Sequence, residues 1–233
     1  INMSFAQLNL INNNIQSIES NAFFNILKLR VLLLDNNRLA DLGELIKSLR
    51  NIYNLTKLWL NYNLIEKLDN EFPVNMNSLE ELKINANRIW FIGKNAFKNL
   101  INLKYISLYI NNVKIIESID CFKNNVKMIS FDINNLNIEN DLMISIFDRI
   151  RSLININILN SNLNEIPYFP LAKWLCLERN NLKEIEENRL SQNLNYLILS
   201  KNYFKVIKEN YFKNLKYLKE LIFYENKIHS IEP

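Results

Sequence analysis

The chain has 233 residues, 48% of them hydrophobic, and a formal net charge of +4 from 28 basic and 24 acidic side chains. Charge this nearly balanced, with no basic block, argues against a nucleic-acid surface. Gly43 and Gly93 are the only glycines, which excludes a glycine-rich phosphate loop, and no apolar run approaches the roughly 20 residues that span a bilayer.

The first readable element lies at residues 29–42, LRVLLLDNNRLADL. Its leucines sit at offsets 0, 3, 5, 10 and 13, and Asn37 sits at offset 8. A helix would space apolar residues by three and four, and a half-buried strand would alternate strictly. This stretch does neither for long. The same offsets return in LEELKINANRIWFI (79–92) and LKELIFYENKIHSI (218–231). The template L-x-x-L-x-L-x-x-N-x-L-x-x-L can be laid down ten times, starting at Phe5, Leu29, Leu55, Leu79, Leu103, Val126, Leu153, Ala172, Leu194 and Leu218. Subtracting successive starts gives periods of 24, 26, 24, 24, 23, 27, 19, 22 and 24. A period of this length is the mark of stacked repeats.

Each x-L-x-L-x predicts a short strand whose leucines point inward. The chain must then turn away from the sheet, which buries backbone N–H and C=O groups at the bend. An Asn side chain carries both donor and acceptor and can bridge successive turns. Nine of the ten polar places hold Asn under this template, from Asn13 to Asn226, with Asn134 in the sixth repeat and Ser161 in the seventh. These residues are predicted to form a structural ladder.

Between the strands, Leu42, Leu45, Ile46 and Leu49 have helical spacing. So do Leu142, Ile146, Phe147 and Ile150, behind a cap at Asn140 or Asp141. Pro167 and Pro170 in EIPYFPLA exclude a helix there. Trp90 lies beyond its strand and is expected on the flank. The chain starts at Ile1 almost on a repeat and stops at SIEP, as expected of a segment of a longer protein.

The pattern resembles the leucine-rich repeat family. The resemblance is closest to its roughly 24-residue extracellular type, which carries a Phe after the motif, as Phe23, Phe97 and Phe212 do here. Toll-like receptor and chaoptin-like ectodomains look like this. The resemblance implies an α/β leucine-rich repeat solenoid, a horseshoe with a parallel concave sheet and a mostly irregular or short-helical convex side. Residues 1–233 are expected to form one domain of about ten repeats.

Functional candidates come from the offsets flanking the strand leucines, whose side chains should face out on the concave sheet. They are Trp59, Tyr62, Lys83, Tyr105, Tyr109, Met128, Trp174, Arg179, Tyr196 and Tyr224. Tyr, Trp and Arg are favoured in binding hot spots, and a contiguous apolar patch signals a partner. Two N-x-[ST] sequons make Asn2 and Asn54 glycosylation candidates. His229 is the sole histidine. No Cys/His cluster suits zinc, and no nucleophile has a His partner, so neither an enzyme, a metal nor a cofactor is expected. Cys121 is expected to be buried, and Cys176 is expected to point out from its strand without pairing to it. The implied function is a non-catalytic protein-binding module of a cell-surface or secreted protein, attached to a membrane only through an anchor outside this sequence. The alternative is an intracellular scaffold of the phosphatase-regulating type.

Overall fold

The structure is a computed structural model that describes residues 6–186 and 188–232. Asn2 and Phe5 lie outside the described residues. Two compact units emerge, Ile1–Met128 and Ile129–Pro233.

In the first unit, the strands Gln7–Asn9, Val31–Leu33, Lys57–Trp59, Glu81–Lys83 and Tyr105–Leu108 lie parallel. Their register aligns Leu8, Leu32, Leu58, Leu82 and Ile106. Leu32, Leu34, Leu58, Leu60, Leu82 and Ile84 are completely buried. In the second unit, Ser130–Asn134, Asn155–Leu159, Trp174–Cys176, Tyr196–Ile198 and Glu220–Ile222 repeat the arrangement and align Phe131, Ile156, Leu175, Leu197 and Leu221. Every repeat thus contributes one strand, as the alternation predicts.

The Asn ladder forms. In Asn63, Nδ2 donates to the carbonyls of Leu34 (2.9 Å) and Leu60 (3.2 Å), while Oδ1 accepts from Leu39 N–H (2.9 Å). Asn37, Asn87, Asn111, Asn180, Asn202 and Asn226 likewise donate to a carbonyl of the preceding turn. One side chain closes groups on two successive repeats that would otherwise be buried and unpaired.

The sixth repeat departs from the predicted register. A residue of positive φ occupies offset 7 in each regular repeat: Asn12, Asn36, Tyr62, Ala86, Ile110, Arg179, Lys201 and Glu225. In the sixth repeat that residue is Asn135 (φ 55°), which places the start at Met128 and not Val126. Val126 is 70% exposed and Met128 is fully buried. The two neighbouring periods become 25 each (128 minus 103, 153 minus 128). Asn134 is therefore a strand residue, and the ladder place falls on buried Leu136. The Leu136 N–H donates to Ser161 Oγ (3.2 Å), so Ser161 continues the ladder from the next repeat.

Both helices appear. Helix α1 spans Leu42–Ser48, and Asp41 caps it by accepting from Gly43 N–H at 2.6 Å. Helix α2 spans Asn140–Phe147 and has no side-chain cap. Asn140 instead ties the next repeat, donating to Asn162 O and accepting from Asn164 N–H. A second layer of short strands follows the ladder: Lys67–Leu68, Phe91–Ile92 and Ile115–Ile116 in the first unit, and Val206–Lys208 with Ser230–Glu232 in the second. Trp90 sits beside this layer, with Lys67 Nζ 5.1 Å from its ring centre. Cys121 is buried, and its thiol is pushed up to about 12 by that burial.

Candidate functional site

Offsets 2 and 4 of each strand share the face opposite the core. In the first unit, Lys57, Glu81 and Tyr105 stand in line across three strands, and Trp59, Lys83 and Ser107 stand in the next line. Glu81 ties the two lines together. Its carboxylate meets Lys57 Nζ at 3.2 Å and Lys83 Nζ at 3.0 Å, and accepts from Trp59 Nε1 at 2.9 Å. Lys83 Nζ lies 4.3 Å from the Trp59 ring centre, a cation–π contact. Burial alone would raise the Glu81 carboxyl, but hydrogen bonds from Lys83 and Lys57 outweigh it and hold the group below its ordinary value. Trp59 is thus fixed on both its edge and its face. Tyr62, Tyr105 and Tyr109 remain exposed at 62, 43 and 37%.

The second unit repeats the theme with different residues. Trp174 and Tyr196 face each other with ring centres 5.1 Å apart. Trp174 Nε1 donates to Asn157 Oδ1 (2.9 Å), and Asn157 Nδ2 donates to Asp132 Oδ1 (2.6 Å). Glu178 Oε1 meets Lys201 Nζ at 3.0 Å and Arg179 Nε at 3.6 Å, and accepts from Tyr224 Oη at 3.3 Å.

One candidate needs correction. Met128 is a core residue at offset 0 of its repeat and offers nothing to a ligand. Its misplacement follows from the two-residue error in the sixth register. Cys176 stands at the outward offset of its strand as expected, but its neighbours cover it. It lies between Asn157 and Ile198, only 6% exposed, and burial raises the thiol's pKa. Both cysteines are unpaired. Glu81 was not singled out by sequence, although its offset matched that of Lys57. Its partners depend on cross-strand register, which one repeat alone does not reveal.

A second polar row runs beside the ladder at offset 6. Asp35 Oδ1 accepts from Asn61 N–H, Asn61 Oδ1 from Asn85 N–H, and Asn85 Oδ1 from Tyr109 N–H, at 2.7–2.8 Å. This row fixes the backbone that carries Tyr62 and Tyr109. Tyr62 (φ 53°) and Ile110 (φ 55°) occupy the left-handed place that Asn12, Asn36 and Asn135 take in other repeats. Such a conformation is unusual for a bulky side chain and an outlier for a β-branched one. Both side chains are more than half exposed, so full burial does not offset that strain.

Among the described residues, no group of three or more His, Cys, Asp and Glu side chains is placed to hold a metal ion. No described helix is long and apolar enough to cross a membrane. Asn54 is exposed, with Nδ2 at 3.5 Å from Leu27 O.

A family profile described as leucine rich repeat matches residues 77–136 and 192–233, and one described as a BspA type leucine rich repeat region matches residues 2–89. The chain belongs to the leucine-rich repeat family. Its curated relatives include lumican of Coturnix japonica, 35% identical over 46% of this chain and 30% of the relative. Keratocan of the same bird is 28% identical over 87% of this chain and 50% of the relative. The chain thus spans half or less of these relatives' length. Among solved structures, a chain of the Drosophila Toll–Spatzle complex superposes with a TM-score of 0.69 at 18% identity, covering 94% of this chain and 33% of that one. A chain of the LRIM1/APL1C complex gives 0.68 at 17%, covering 95% and 44%. These likenesses establish a leucine-rich repeat solenoid.

Proposed function

We propose that this chain is a protein-binding segment of a secreted or cell-surface protein, and that its partner docks on the outward strand face. The observation that carries this reading is the aromatic cluster of Trp59, Tyr62, Tyr105 and Tyr109. Trp59 is already oriented by Glu81 and Lys83, so little of its side-chain entropy is lost on binding. Trp174, Arg179, Tyr196 and Tyr224 form a second candidate cluster. Two structural neighbours support the class of function: one is a complex of Toll with Spatzle, and the other a complex of LRIM1 with APL1C. We read the ten repeats as one domain. Asn54, exposed in N-L-T, is the glycosylation site this reading expects, and its occupancy on expression through a secretory pathway separates the reading from a cytoplasmic scaffold.

The test is a screen against an array of secreted and cell-surface ectodomains, repeated with variants. Trp59→Ala and Tyr109→Ala should each weaken the captured interaction by about 2 kcal/mol or more. Tyr62→Gly is the sharper variant. Glycine adopts positive φ without steric cost, so melting temperature should hold or rise while binding falls. Normal binding by all three folded variants would remove the strand face from consideration.

A further inference from the structure

The outer side of the second unit carries a cavity of about 270 Å³, near the lower end of the roughly 300–1,000 Å³ usual for ligand sites. Its origin lies in repeat length. The repeats starting at Leu153 and Ala172 have 19 and 22 residues, and the next has 24. The shorter outer segments leave space beside the longer one.

The lining is unlike the same region of the first unit. Asn75 and Asn99 stand at offset 20 of their repeats, and each donates to a carbonyl of the preceding repeat, Ile52 O at 3.0 Å and Phe72 O at 2.7 Å. Asn214 stands at the same offset (194 plus 20) and lines the cavity. Among the described residues its amide has no partner, nor do the side chains of Gln192, Asn193 and Asn210 around it. The chain is rich in Asn throughout, so the number of amides decides nothing. What matters is that these four converge on one concavity with their donors and acceptors open. Tyr168 and Tyr211 supply aromatic surface in the same cavity. Its charged lining residues are Lys213 and Glu186, of opposite sign, and Glu186 is engaged by Arg189 at 3.1 Å.

We infer that this cavity binds a neutral saccharide of one or two rings. Each sugar hydroxyl both donates and accepts, which an open amide matches with its own oxygen and nitrogen. The apolar C–H face of a pyranose suits a tyrosine ring. A phosphate or sulfate would meet no surplus of positive charge. The site is separate from the strand-face cluster, and neither reading depends on the other.

The experiment is saturation-transfer NMR on the full chain with maltose, cellobiose and N,N′-diacetylchitobiose. At least one should receive saturation. The double variant Asn193→Ala/Asn214→Ala, and separately Tyr211→Ala, should weaken that sugar's affinity at least tenfold. Both amides are exposed, so the melting temperature of the double variant should stay unchanged. Trp59→Ala should leave sugar binding intact. Silence from all three sugars, or undiminished transfer to the folded double variant, overturns the proposal.

Discussion

Asn87 spans two turns, donating to Leu60 O at 2.9 Å and accepting from Ile65 N–H at 3.0 Å. Replacing it by Ala leaves these groups without their partner, at about 1–3 kcal/mol. Asn85 looks like a solvent-facing residue by offset alone, yet it accepts from Tyr109 N–H and from Ser107 Oγ. Asn85→Ala is therefore not neutral. It should cost about 0.5–1.5 kcal/mol, less than Asn87→Ala because water reaches the freed Tyr109 N–H. Thermal melts of the two variants decide the order, and equal shifts would contradict it. Glu81 adds a pH dependence. Its folded pKa lies below the ordinary 4.5, so its contribution is present above that value and is lost as pH falls through the folded one. The stability gap between wild type and Glu81→Gln should close below about pH 4.5; a gap independent of pH would sink the ion-pair account. The ladder was legible in sequence because buried backbone groups dictate a side chain with both donor and acceptor. The second row was not, because a surface Asn in an Asn-rich chain looks the same whether bonded or idle.

At the scale of one repeat, the sixth shows how a register is lost. The ladder place holds Leu136, while Asn134 imitates the motif two residues early. Sequence matching followed the Asn; folding followed the buried residues Met128, Phe131 and Ile133. The distinction is measurable. Met128→Ala should cost about 2–5 kcal/mol, as large-to-small changes in a packed core do. Val126→Asp, at a position 70% exposed, should stay within about 0.5 kcal/mol of wild type. Comparable denaturant midpoints for the two would restore the earlier register. The helices were legible from their apolar spacing. The short strands of the second layer were not, since two or three residues carry too little periodicity to declare themselves. For the same reason the candidate face was legible as a set of offsets but not as contacts. The union of Glu81 with Trp59 and Lys83 depends on how two successive 24-residue repeats align.

At the scale of the whole chain, stability is a series of terms between neighbouring repeats. The bonds across repeats have this form throughout: Asn63 holds Leu39 N–H one repeat back, and Asn202 holds Leu182 N–H in the same way. Damage should therefore stay near its source. Asn63→Ala removes the acceptor of Leu39 N–H and the donor to Leu34 O. Amide hydrogen exchange should speed up at Leu39 and in the strands Val31–Leu33 and Lys57–Trp59, while Leu182 and the strand Tyr196–Ile198 keep their wild-type rates. Asn202→Ala should reverse the pattern. A protein with one shared core would lose protection everywhere in proportion to the fall in global stability. If each variant accelerates exchange across all ten strands alike, the neighbour-by-neighbour account fails. If the effects remain local, a partner held on one aromatic cluster can tighten its own repeats while distant repeats keep their own exchange behaviour.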